Sequence, residues 1–65
     1  MGMIKIINDS GKCYKKGEIV KCKDIISDYC DICNDESVES WLYKIPIPNA
    51  INFIAWAWGI DYEFV

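Results

Sequence analysis

Arginine, histidine, glutamine and threonine are all absent from this chain of 65 residues. Without histidine the commonest general base is missing, and with it every serine–histidine or cysteine–histidine nucleophile pairing. Ser10, Ser27, Ser37 and Ser40 then have no ordinary activating partner, and no motif stands behind a serine–lysine pairing. Without arginine there is no planar guanidinium to grip phosphate or guanine in a bidentate way. Cationic charge comes from seven lysines alone, set against ten acidic residues for a net charge of −3, a balance that argues against general nucleic-acid binding. No stretch reaches the roughly 18–20 apolar residues of a membrane span. No basic region followed by a long apolar run opens the sequence, so a cytoplasmic location with reduced cysteines is expected. The absences favour a non-catalytic protein with no membrane segment and no cofactor.

What the chain does contain is apolar and aromatic. Hydrophobic residues make up 52% of it, with three Trp, four Tyr and two Phe, enough for a core in a single domain spanning residues 1–65. A chain this short buries only roughly 60% of its unfolded surface, so there is little stability to spare. Residues 51–65 are the most aromatic stretch, and they predict an element that closes the fold by tucking inward.

Along the chain, Met3 to Ile7 reads as a first strand, ended by the turn cluster Asn8-Asp9-Ser10-Gly11. Gly17 opens a second strand over Glu18 to Lys23, with Val20 and Cys22 on one face. Residues 24–34 are ambiguous. Ile25, Ile26, Tyr29, Ile32 and Cys33 fall at helical spacing behind Asp24 as a cap. The alternative, preferred because its surroundings read as β, is a strand from Tyr29 to Cys33. That strand would turn at Asn34-Asp35-Glu36 and pair with Val38 to Ile45. Ser40 to Ile45 reads as a strand in its own right. Pro46-Ile47-Pro48 suggests extended polyproline geometry. Ala50 to Trp58 is either a helix capped by Asn49 and ended by Gly59, or a strand with Ile54, Trp56 and Trp58 on one face. The strand is preferred. A turn over Gly59 to Tyr62 then leads to a last strand, Glu63 to Val65. The expected fold class is mainly β, a small antiparallel barrel of five to six strands with room for one short helix.

Three segments carry a likeness to a known architecture. They are Gly11-Lys12-Cys13-Tyr14-Lys15-Lys16-Gly17-Glu18-Ile19-Val20, then Trp41, then Gly59-Ile60-Asp61-Tyr62-Glu63-Phe64-Val65. Their order resembles Src homology 3-like barrels of phage or low-GC bacterial type, and the Ile-, Lys-, Asn- and Asp-rich composition fits an AT-rich genome. The resemblance implies a barrel that binds extended peptides in an aromatic groove, which Tyr14, Trp41 and Tyr62 would line. Lysines stand where that family carries an aromatic-acidic loop signature, and residues 46–58 look like an insertion.

The candidate chemistry is sparse. Cys30-Asp31-Ile32-Cys33 with Cys13 and Cys22 offers four thiols, but not the paired knuckles of a zinc ribbon. On a strand Cys30 and Cys33 would point apart, so free thiols and no metal are expected. The Asp-rich middle does not fit an EF-hand loop, and the lysines flanking Gly11 and Gly17 do not fit a phosphate-binding loop. The aromatics and the acidic run remain. They predict a protein-interaction module anchored by Tyr14, Trp41, Trp56, Trp58 and Tyr62, with Asp28, Asp31, Asp35 and Glu36 as an acidic rim. Resemblance extends this to a phage-encoded inhibitor of a host protein, of the anti-CRISPR-like, anti-defence kind. The alternatives are a nucleic-acid or nucleotide binder using the Lys12–Lys23 patch, a zinc-stabilised module, and a self-associating homo-oligomer.

Overall fold

Val20 and Lys21 end a short strand, and the next residue already begins a helix. That abrupt junction places helices over the sheet in a computed structural model that describes residues 2–9 and 14–65. The order is β1 (Met3–Asn8), β2 (Ile19–Lys21), α1 (Cys22–Cys33), α2 (Glu36–Lys44), α3 (Ile47–Trp58) and β3 (Asp61–Phe64). The three strands form one antiparallel sheet in the order β2-β1-β3, with β1 central. Ile4 pairs with Val20 on one side and with Phe64 on the other.

The mainly-β barrel expected from the sequence is therefore not what forms. Three helices and a three-stranded sheet make a two-layer α+β domain, and the Src homology 3-like architecture implied by the resemblance is corrected with it. Each segment misread as strand has a helical reason. In residues 22–33 the buried positions are Cys22, Ile25, Ile26 and Cys30, a 3.6-residue stripe. Asn34 ends α1 in the left-handed conformation, at φ 52°. Asp35 then caps α2, its carboxylate accepting from the Ser37 N–H at 2.9 Å and, more weakly, from the Val38 N–H at 3.4 Å. The expected hairpin turn is thus a helix–helix junction, and the expected strand Ser40–Ile45 lies mostly in α2. The inward residues of α2 are Val38 and Leu42, four apart, with Ile45 packed inward at its C-cap, rather than alternating ones.

The proline pair also behaves differently from expectation. Pro46 sits at the N-cap of α3 and Pro48 in its first turn, where a missing N–H costs nothing because that donor has no intrahelical partner. Asn49 is therefore inside the helix and does not cap it. Ala50, Ile51, Ile54 and Ala55 are buried along one side of α3. Gly59 stops it at φ 70°, and the N–H groups of Gly59 and Ile60 both donate to the Ala55 carbonyl.

The buried side chains form one cluster. Ile4, Ile6 and Val20 from the sheet meet Ile25, Ile26, Leu42, Ile51 and Ile54 from the helices. The inward tuck expected of residues 51–65 is only partial and closes no barrel: Ile51, Ile54, Ala55 and Ile60 are buried, while Asn52, Trp56, Ala57, Phe64 and Val65 are exposed. Among the described residues, no helix is long and apolar enough to cross a membrane. Gly11, Lys12 and Cys13, which entered the expected long loop, lysine patch and thiol set, lie outside the described residues, as does Ser10.

Candidate functional site

The aromatic side chains are linked across four segments of the chain. Tyr14, ahead of β2, meets Trp58 of α3 with ring centroids 6.2 Å apart. Trp58 meets Tyr29 of α1 at 5.3 Å, and Tyr29 meets Phe53 of α3 edge-on at 5.8 Å. Phe53 in turn touches Trp41 of α2 edge-on at 5.1 Å and Trp56 at 6.2 Å. These separations and tilts are those of favourable aromatic pairs, each contributing about 0.5–1.5 kcal/mol beyond area burial. The inner rings Tyr29, Phe53, Trp58 and Tyr14 are half-buried against the core, while Trp41 is 46% exposed and Trp56 is 79% exposed.

Four of the five aromatic anchors expected from the sequence, Tyr14, Trp41, Trp56 and Trp58, thus belong to one chain of rings. Tyr62 stands apart from it. It pairs with Phe64 on β3 at 5.4 Å, and its hydroxyl donates to the Asn52 Oδ1. Of the Tyr14, Trp41 and Tyr62 set, Tyr14 and Trp41 share the chain of rings and Tyr62 pairs instead with Phe64. Sequence reading missed Tyr29 and Phe53, which connect the others. Phe53 and Trp56 are three apart, and that spacing would have found the pair had the helix been chosen.

The acidic residues take different roles. Asp28 accepts a 2.8 Å hydrogen bond from the Tyr14 hydroxyl, which fixes a carboxylate beside the Tyr14–Trp58 end of the rings. Asp31 is exposed on α1; Asp35 is the cap of α2, and Glu36 lies in its first turn. Over residues 22–58 there are six acids (Asp24, Asp28, Asp31, Asp35, Glu36, Glu39) and two lysines (Lys23, Lys44), so the helical layer carries −4 of a total of −3. The remainder of the chain is correspondingly +1. Helix α3 has no charged side chain at all, and its outward positions are Asn49, Asn52, Trp56 and Ala57 beside Ile47. The lysines Lys15, Lys16, Lys21 and Lys23 are exposed but dispersed over a loop, a strand and the start of α1.

The helix changes the thiol argument too. Cys30 and Cys33 are three apart on α1, which puts them on neighbouring sides rather than opposite ones. Cys30 is buried and Cys33 exposed. Burial, with the nearby Glu39 and Asp31 carboxylates, pushes the Cys30 thiol above its ordinary range, and burial does the same to Cys22. Neither is tuned towards a thiolate nucleophile. Burial also raises the Tyr29 phenol, with the Cys33 and Cys30 sulfurs adding to the rise. Among the described residues no group of three His, Cys, Asp or Glu side chains is placed to hold a metal ion.

Set against family models, curated proteins and solved structures, the chain matches none of them.

Proposed function

We propose that this chain is a non-catalytic protein-interaction module that docks a basic protein surface through the ring chain of α1, α2 and α3. The observation that carries this reading is Trp56, 79% exposed on a helix without a single charge and packed on Phe53 rather than standing alone. Tryptophan is prominent among binding anchors, and a neutral helix face dries readily at an interface. The −4 helical layer supplies the field that steers a cationic partner. Inhibition by occupancy is the activity such a surface suits. A small acidic module can cover the nucleic-acid groove of a host protein, the anti-defence role suggested by the AT-rich, phage-like composition.

The test is affinity capture from a low-GC bacterial lysate with the wild-type chain, a Trp41→Ala/Trp56→Ala variant and an Ile19→Ala control on the sheet. The reading expects a captured basic protein that is lost with the double tryptophan variant, kept by the control, and bound more weakly as salt rises. Capture indifferent to both tryptophans and to salt would overturn it. A gel shift near physiological salt that depends on Lys15, Lys16 and Lys21 would replace it with nucleic-acid binding.

A further inference from the structure

A separate groove of about 450 Å³ opens where the start of α1, the end of α2 and the start of α3 converge. Its lining is Lys23, Ile26, Leu42, Tyr43, Ile45 and Ile47, so no ring of the aromatic chain contributes to it. Ile26 and Leu42 are buried and form an apolar floor, and Ile45 and Ile47 form apolar walls. The volume falls within the roughly 300–1,000 Å³ typical of small-molecule sites, which are mainly apolar with a few convergent polar groups.

Two lining residues carry polar side-chain groups, Lys23 and Tyr43; the Tyr43 hydroxyl is hydrogen-bonded with Ser27, which leaves Lys23 to meet a ligand's head. Among the described residues Lys23 is the one charged member of the lining, so the groove carries a positive charge inside a helical layer that is net anionic. Ile47 also begins α3, whose N-terminus has no side-chain cap and no acid in its first turn, leaving its positive end uncompensated by its own helix. Burial and then Cys30, Glu39 and Asp31 push the Tyr43 phenol up, so the surroundings of Tyr43 disfavour negative charge. An anionic head is repelled there and is drawn towards Lys23, which leaves an apolar tail to cover Ile26, Leu42, Ile45 and Ile47.

We propose that this groove binds a free medium-chain carboxylate, its head on the Lys23 ammonium and its hydrocarbon chain over the isoleucines and Leu42. The site is independent of the docking surface, so either can fail without the other. The test is calorimetric titration of the full chain with decanoate below its micellar concentration. The expected result is saturable one-to-one binding that Lys23→Gln weakens about tenfold, the scale of one charge-assisted contact. Decanol lacks the charge and butyrate the tail, and each binds at least about tenfold more weakly. Ile47→Asp abolishes binding, since an acid suits the first turn of a helix but occupies the groove with a like charge. The Trp41→Ala/Trp56→Ala variant binds decanoate as the wild type does. No saturable heat up to about 1 mM decanoate overturns the proposal. Unchanged affinity in Lys23→Gln, decanol binding as tightly as decanoate, or loss of binding in the double tryptophan variant would each do so too. Lys23 is exposed, so its substitution leaves the fold intact even if Ile47→Asp does not.

Discussion

Ile54 and Trp56 lie two residues apart and differ as far as two side chains can. Ile54 is 0% exposed within the core cluster, and Trp56 points to solvent with Phe53 beneath it. Ile54→Ala should lower stability by about 2–5 kcal/mol, the usual loss for emptying a buried aliphatic position. Trp56→Ala should lower it by about 1 kcal/mol or less, and urea unfolding of the two variants checks both values. A strand would have put both residues on one face and made both substitutions severe. The thiols divide in the same manner. In a Cys13→Ser background, Cys33 should be the first thiol to react with a thiol reagent, because it is exposed. Cys22 and Cys30 should react only as fast as the chain opens, because both are buried and their thiols are pushed up in pKa.

At the scale of elements, the helix junctions are single-residue devices. Asp35→Ala removes the cap that holds the Ser37 N–H and should cost about 1 kcal/mol. Gly59→Ala forces a Cβ into the left-handed region and should cost about 1–2 kcal/mol. Thermal or urea melts of the two variants measure both. These same residues show how much of the fold could be read beforehand. The first strand, the cap function of Gly59 and the helical spacing of Ile25, Ile26 and Tyr29 were all visible in the chain. What hid the helices was residue choice. Isoleucine, tyrosine and tryptophan favour strands, and in Ser40–Ile45 they also alternate, so propensity and a short period-two pattern agreed on the wrong answer. Tertiary burial decided the matter, since α2 needs only Val38 and Leu42 facing inward, with Ile45 at its C-cap. The site was legible in part for the same reason. The exposed tryptophans could be named from composition, but Tyr29 and Phe53 become their neighbours only once α1 and α3 pack together.

For the molecule as a whole, the displaced titrations all point one way. Cys22 and Cys30 are raised from an ordinary 9.0, and Tyr29, Tyr43 and Tyr62 from 10.0, with burial the leading cause in each. Each of these groups is neutral when protonated, so the native chain keeps its proton to higher pH than the unfolded chain does. Their contribution to stability is complete below the ordinary values and is lost as pH rises through the raised ones. Urea midpoints should therefore stay level between about pH 6 and 8, where the absence of histidine leaves little to titrate, and fall steadily above about pH 9. A midpoint that rose between pH 9 and 11 would contradict the burial of Cys22 and Cys30, the two of these groups that lie fully inside.

The pairing of β1 with β3 has a mechanical corollary. The two strands run antiparallel, and the Val65 N–H reaches the Met3 carbonyl at 3.2 Å, so handles attached at those residues would tug from the same end of the ladder. Inter-strand bonds perpendicular to the strands then lie along the force and break one pair after another, as a zip opens, rather than resisting together in shear. Held by those two points in an optical trap, the domain should give way gently at low load, however well it withstands denaturant.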